Sequence, residues 1–387
     1  MIKKWHVKVL FLPFLYQDVY ARMKKIELKR SKEMLLALLR AALHQREVEV
    51  EYFQQATEED WVQCYRLAVR QGVSALAWEG IERLPLEDAP PLDVKLSWAL
   101  LEKKQLATYR KHCRAVNELT QLFAQHGIAT VVLKGVGLAR LYPVPAHREG
   151  GDIDIYTYSA DKTQMTDEEA NRLADQLMEK QGIEVSRSAE GKDSHFLYHG
   201  ILIENHRFFF DTQRFPVATE VEQWLEACMS SQPINLMDGE CHAYVPSIAF
   251  DRVYVSYHAA LHAGIGLSLR HLCDWVALLK QEESFLLGDK AFFYPAVVFT
   301  QLCNRYLGTA VSVEGGEEMV ADMMQEIIRS PYQVKIPYEN PVWSGVYKAR
   351  RTLHCLALMR RLLKPSFGEM VLPLLHIIVK QPKRLIK

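Results

Sequence analysis

Apolar residues recur at helical spacing early in the chain. Met34, Leu35, Leu38, Leu39 and Leu43 form one such series and Trp61, Tyr65 and Leu67 a second, which predicts helices across 31–84. The segment from Leu84 to Pro91 is a proline-rich break. A long amphipathic stretch follows, from Leu92 to about His126, with Leu96, Leu100, Ala107, Val116, Leu119 and Phe123 on its apolar side and Gly127 as the stop. The period then falls towards two. Ala129–Leu133 is a short β-branched run that ends at Lys134-Gly135, and one or two helical turns, Val136 to Tyr142, lead into a loop over 143–151. Asp152–Tyr158 alternates polar and apolar positions, as a strand with two different faces does. Thr166 opens Thr-Asp-Glu-Glu, a helix cap with acids in the first turn, and that helix runs to about Gly182. Strands are expected at Glu184–Arg187, His195–Tyr198 and Ile201–Phe210, with helix again beyond about Pro216. No internal repeat or low-complexity tract interrupts the series. The pattern predicts an α+β chain: a helical region over 1–112, a small mixed-sheet core over 113–215, and a second helical region over 216–387.

Composition fits that division. The chain has 387 residues, 49% of them hydrophobic, enough for two or three domains or one domain with a large extension. Its 47 basic residues balance 47 acidic ones, which excludes a uniformly basic nucleic-acid binder. The balance is uneven along the chain. Residues 1–32 carry nine Lys/Arg against two acids, and 348–387 carry ten against Glu369 alone, so the body between them is acidic. The seven cysteines are scattered and none forms a C-x-x-C pair, which fits a reducing cytoplasm rather than a zinc ribbon or a disulfide framework. The apolar run Trp5–Tyr16 is broken by Lys8 and Pro13 and lacks a cleavage site, unlike a signal peptide. No stretch approaches the roughly 20 apolar residues that span a bilayer.

Chemistry concentrates around Gly151-Asp152-Ile153-Asp154-Ile155. On a strand, Asp152 and Asp154 share a face while Ile153 and Ile155 take the other. Two carboxylates so close repel unless a cation lies between them, and Mg²⁺ suits one or two carboxylates plus substrate phosphates. The same residues would also suit a solvated strand edge. Glu204 shares a face with Leu202 and His206 on its own strand; if that strand lies beside the aspartate strand, Glu204 is a third ligand, and otherwise an edge charge paired to a lysine. At Lys134-Gly135, glycine allows close backbone approach to a phosphate and the following helix offers free N–H groups. Arg148 sits on a loop rim where its fork of donors can grip a triphosphate, although a loop arginine needs no such role.

Three segments together carry a resemblance: Leu133-Lys134-Gly135-Val136-Gly137 onward to Pro143, then Arg148 with Gly151-Asp152-Ile153-Asp154-Ile155, then Ile203-Glu204-Asn205-His206. They resemble the bacterial nucleotidyltransferase-like family of the polymerase-β superfamily. The stretch with His258, His262 and Leu269–Leu279 is similar to that family's helical region, so the resemblance covers roughly 30–280. It implies transfer of a nucleoside monophosphate from an NTP, usually ATP, to an acceptor. Asp152 and Asp154 would hold two Mg²⁺ ions. Glu204 would hold the catalytic metal and take the proton from the attacking hydroxyl. Lys134, Gly135, Arg148, His206, His258 and His262 would bind the nucleotide. The chain departs from the pattern at Gly135-Val136-Gly137, where many members carry Gly-Ser, and in having Glu rather than Asp as third carboxylate. A catalytically silent nucleotide- or partner-binding relative is therefore the alternative.

Other features are less directive. His258 and His262, with His271, Cys273 and Asp274 nearby, have a spacing that can bind zinc, in apolar surroundings that also suit core histidines. Arg270 and Asp274 are spaced for an i,i+4 helix pair. Ser256-x-His258 lacks the turn motif of a hydrolase nucleophile, and Gly135-x-Gly137 lacks the third glycine of a dinucleotide fingerprint. The basic residues of 348–387 alternate with Leu, Met, Ile and Val, which suits a solvated helical face or weak contact with an anionic membrane or polyanion, as on a peripheral scaffold. The acceptor leaves no mark in the sequence.

Overall fold

The computed structural model describes residues 30–188, 191–212, 216–229, 234–235, 243–263, 266–281, 291–329 and 357–363. Its first helices form a small bundle. Helix α1 (Arg30–His44) buries most of its surface, including Met34, Leu35, Leu38, Leu39 and Leu43. Helix α2 (Glu58–Gln71) begins at a capping box between Thr57 and Asp60 and ends at Gly72, whose φ of 65° suits glycine. Helix α3 (Ser74–Ile81) lies against α1 so closely that a Cβ on Gly80 would stand 2.5 Å from the Leu38 carbonyl oxygen. Helix α4 (Leu92–Ala124) carries the chain from this bundle to the sheet.

The phase of α4 differs from the periodicity reading. Its buried stripe runs through Val94, Trp98, His112, Val116, Leu119 and Phe123. Leu96 and Leu100 lie two positions away from it and are 56% and 68% exposed. The expected Val116, Leu119 and Phe123 are buried; over a helix of 33 residues the series fails only in its first half, where it misses the large Trp98 indole, which is wholly buried and donates to the Ser74 carbonyl at 2.7 Å.

Strand β1 (Ile128–Val132) leads into the single-turn helix α5 (Val136–Ala139). Strand β2 (Asp152–Ser159) is followed by helix α6 (Asp167–Lys180), which starts at a capping box between Thr166 and Glu169. Strands β3 (Val185–Arg187), β4 (Asp193–Tyr198) and β5 (Ile201–His206) come next, then helix α7 (Thr219–Met229) and the short strands β6 (Ile234–Asn235) and β7 (Ala243–Val245). All seven strands form one mixed sheet in the order β3-β4-β5-β2-β1-β7-β6. Helices α8 (Ile248–Leu261), α9 (Leu269–Leu279), α10 (Tyr294–Tyr306) and α11 (Glu317–Arg329) follow in the α+β architecture, and residues 357–363 are helical as well.

Two local expectations change. The strand from Ile201 stops at His206 instead of reaching Phe210, because the Phe209 and Phe210 amides donate to the Glu222 carboxylate, both at 2.8 Å, rather than to a neighbouring strand. Beyond Pro216 the described chain is mostly helical, as expected, but the sheet gains strands that the pattern did not show: β7 pairs parallel with β1, so the sheet extends past residue 215.

The sheet has two unlike faces. Ile153, Ile155, Phe196, Ile201 and Ile203 pack with Ala115, Val116, Leu119 and Phe123 of α4 and with Ala170, Ala174 and Met178 of α6 in one apolar core. Alternation puts Asp152, Asp154, Glu204 and His206 on the opposite face. Helices α8 and α9 cover that face, and their own apolar sides join the larger core with α1 and α10.

Candidate active site

Parallel pairing of β2 with β5 sets Asp154 opposite Glu204, Asp152 opposite Leu202 and Tyr156 opposite His206. Partners in register project to the same side, so the two acidic strands meet as neighbours. Asp154 has no solvent exposure. Its Oδ1 accepts from Lys134 Nζ and from His206 Nε2, each at 3.0 Å. Its Oδ2 is buried and has no hydrogen-bond partner.

The electrostatics follow from this crowding. Burial alone would raise the Asp154 pKa, but the Lys134 ammonium and the His206 hydrogen bond hold it well below the usual carboxylate range. Glu204 moves the other way: burial and the charge of Asp154 push it up to about 7. Burial opposes the charge of Lys134, yet Asp154, Asp152 and Glu204 together keep its pKa above the ordinary value. His206 is lowered by burial and so stays neutral. With Nε2–H given to Asp154, its Nδ1 is a buried acceptor without a hydrogen-bond partner.

The ligand atoms of Asp154, Glu204 and His206 all lie within 4.8 Å of one another, the one such group among the described residues. The donor set fits a divalent cation, since a buried carboxylate oxygen with no hydrogen bond is an acceptor waiting for positive charge. Asp152 lines the same cavity but stands outside that group, opposite Leu202. His206 stands in that group, a place its sequence context did not suggest, but while its Nε2–H is given to Asp154 that nitrogen has no lone pair for a cation, and the ring orients the carboxylate instead. The zinc spacing of His258 and His262 yields no such group among the described residues.

Asp152, Asp154 and Glu204, but not His206, border a cavity of about 350 Å³. Lys134, Gly135, Lys192 and the carboxylates line its sheet side, and Tyr254, His258, His262 and Arg270 its helical side. Tyr254, His258 and His262 follow one another at four-residue intervals on α8, with ring centroids 5.7 and 4.6 Å apart. Burial and the nearby Lys134 lower both imidazoles, His258 far below its usual value and His262 to about 4, so they face the cavity neutral. Lys134 Nζ donates to His258 Nε2 at 3.3 Å. Lys192, Tyr254 and Arg270 were not singled out for the site from sequence. For Tyr254 a signal existed, its position four residues before His258.

Two expected phosphate contacts take on more specific geometry. Gly135 turns the chain with φ of 60°, where a Cβ would meet the Asp152 carbonyl at 3.4 Å. The helix it opens is only one turn long, and the Gly137 amide already donates to the Lys134 carbonyl. Arg148 lines the cavity with its guanidinium committed to Asp274, through Nε at 3.0 Å and Nη2 at 2.8 Å. Tyr142 donates to the same carboxylate at 2.6 Å. Asp274 therefore pairs across 126 residues with Arg148, not along its own helix with Arg270, which donates to the Glu149 carbonyl.

A larger cavity of about 510 Å³ lies near Tyr156 and Tyr158. Both of its basic groups are already paired, Lys162 with Asp167 at 3.0 Å and Arg207 with Glu168 at 2.8 Å. The unsatisfied chemistry is in the smaller one. Of the basic stretch 348–387, only 357–363 lie within the described residues; there Arg361 pairs with Asp322 at 2.7 Å. Cys64, Cys273 and Cys303 are buried thiols. No described helix is long and apolar enough to cross a membrane.

The profile of a family described as an uncharacterised nucleotidyltransferase matches residues 57–289, which take in the α2–α4 helices, the whole sheet and the helical wall of the cavity. No curated protein and no solved structure matches the chain.

Proposed function

We infer, from the premise that the chain belongs to this uncharacterised nucleotidyltransferase family, that it transfers a nucleoside monophosphate from an NTP to an acceptor hydroxyl in an Mg²⁺-dependent reaction. The observation that carries this reading is the Asp154–Glu204 pair in register on parallel strands, with a partnerless Asp154 oxygen beside a cavity lined by Lys134, Lys192 and Arg270. ATP is the first nucleotide to test.

Each residue then has a task that its surroundings support. Asp154, held ionised, and Glu204 are the ligands for the cation, with His206 beside them and Asp152 available at the next position on the same face. The cation, when bound, supplies Lewis acidity towards phosphate oxygens. Glu204, beside the place of the attacking hydroxyl, would take its proton. Lys134, Lys192 and Arg270 supply positive charge for the phosphates, near the Gly135 turn. The neutral rings of Tyr254, His258 and His262, tilted to one another by 48° and 43°, offer an uncharged wall for a base. Arg148 acts through Asp274, fixing the loop just before Asp152 to α9. Residence in the cytoplasm, and contact of 348–387 with anionic surfaces, belong to the same proposal.

Incubating the protein with Mg²⁺ and labelled ATP, CTP, GTP or UTP in cell lysate tests it. The expected result is label on one molecular species, lost on chelation and in Asp154→Asn. A folded protein that transfers label from none of the four nucleotides overturns the reading in favour of a silent relative.

A further inference from the structure

Lys134 occupies an unusual place for a lysine that is to greet an incoming phosphate. Its Nζ stands 3.0 Å from Asp154 Oδ1, and this carboxylate is the fully buried member of the metal-ligand group. The lysine side chain is 21% exposed while that of Asp154 is 1% exposed, so the ammonium is the partner nearer solvent. The three ligand atoms lie within 4.8 Å of one another, so a dication among them would come within a few ångströms of Nζ. Positive charges that close, in a site with little water, repel strongly. Oδ2 of the same carboxylate is open to a metal, but an ammonium on Oδ1 and a dication on Oδ2 would stand a few ångströms apart and weaken each other's hold.

We propose that the Lys134 ammonium is a resident counter-cation which competes with the divalent metal for Asp154, and that a bound triphosphate draws it away and frees the carboxylate. This rests on the nucleotidyltransferase reading. The lysine has somewhere to go. His258 Nε2, neutral and 3.3 Å from Nζ, accepts one of its three protons, and the cavity beyond it opens towards Lys192 and Arg270, where anionic oxygens would gather. Metal and nucleotide then bind cooperatively: a triphosphate strengthens metal binding by removing the competitor, and by linkage the metal strengthens triphosphate binding equally. Without nucleotide, the lysine keeps the carboxylates neutralised and metal binding weak.

Mn²⁺ titration of the full-length, nucleotide-free protein, followed by calorimetry and electron paramagnetic resonance, tests the competition without relying on activity. Lys134→Met should bind Mn²⁺ about tenfold more tightly than the wild type, a coupling of ordinary size between two sites. Lys134→Gln, which keeps a polar side chain but no charge, should do the same. In an Asp154→Asn background the lysine substitution should change nothing. Equal or weaker Mn²⁺ affinity in both lysine variants overturns the proposal, since a purely structural lysine predicts that result. Failure of both variants to fold also overturns it, because a lysine that leaves Asp154 in the working cycle cannot be indispensable to the fold. Absence of Mn²⁺ binding in every protein overturns this proposal and the metal site together. Failed label transfer with all four nucleotides, by contrast, removes the transferase reading while leaving the Mn²⁺ comparison intact.

Discussion

Asp154 and Asp274 are both buried, yet their surroundings could hardly differ more. Asp274, on α9, has each carboxylate oxygen bonded to Arg148, and the Tyr142 hydroxyl adds a third donor. Burial would raise its pKa, but Arg148 and these hydrogen bonds hold it below the ordinary value. Asp154, on β2, has two donors on one oxygen and none on the other. A closed ion pair between distant segments fixes loop to helix and has no capacity left for a ligand. An open carboxylate in a buried site has an unmet need, and such needs mark places where something binds. The contrast separates scaffold from site more sharply than burial does, since both groups are hidden from solvent.

The largest expected effects come from neutralising each aspartate. Asp154→Asn should reduce nucleotidyl transfer by about a thousandfold, because a metal ligand is worth several kcal/mol in the transition state. It should leave the protein folded, since Glu204 stays beside Lys134 to balance its charge. Asp274→Asn should do the opposite. It strands the Arg148 guanidinium, whose side chain is 7% exposed, and should cost about 3–5 kcal/mol of stability. Chemical denaturation of both variants beside the labelling assay checks the pair. If Asp154→Asn unfolds as readily as Asp274→Asn, the division into scaffold and site fails.

How much of this was legible in the sequence follows the range of each interaction. The period-two alternation that puts Asp152 and Asp154 on one face is local, and the polymer of residues 152–158 shows it directly. The adjacency of Glu204 needed β5 to pair with β2, and it was expected only conditionally, because pairing across 50 residues is set by the rest of the sheet. The Arg148–Asp274 bond spans 126 residues and no local pattern announces it; helical spacing pointed instead to Arg270. Strand β7 has three residues, too few for a periodic signal, and its place beside β1 is decided by tertiary pairing. The place of His206 beside the candidate metal ligands emerges only when β5 is set against β2, since its contact is with a carboxylate 52 positions away.

A smaller effect probes the completeness of the Asp274 centre. Tyr142→Phe removes the hydroxyl that donates at 2.6 Å yet leaves the ring, which is 4% exposed, in its packing. Asp274 Oδ1 keeps its bond from Arg148 Nε. The expected loss is about 1–2 kcal/mol, the usual cost of deleting one charge-assisted hydrogen bond whose acceptor retains another donor. Mn²⁺ affinity should not change. A shift in Mn²⁺ binding without a shift in stability would make Tyr142 part of the site and break the separation from the other side.

The smallest predicted effect carries a sign that only the geometry gives. His147, just before Arg148, has Nδ1 at 2.8 Å from Glu79 and Nε2 at 3.3 Å from Glu102, so it ties the Arg148 loop to helices α3 and α4. Both ring nitrogens face carboxylates, and both can donate only when the ring is protonated. Burial works against that charge, but the two glutamates outweigh it and raise the His147 pKa above 6.5. A folded-state pKa above the unfolded one means that folding takes up a proton, so the contribution is complete below about pH 6.5 and lost as pH rises through the folded value. His147→Gln keeps the size of the side chain but can donate from only one nitrogen. It should cost on the order of 1 kcal/mol at pH 6, and the gap to the wild type should narrow steadily towards pH 9. Urea midpoints measured at both pH values check this; a gap that widens with pH would mean a neutral histidine and a scaffold held at this point by packing rather than charge.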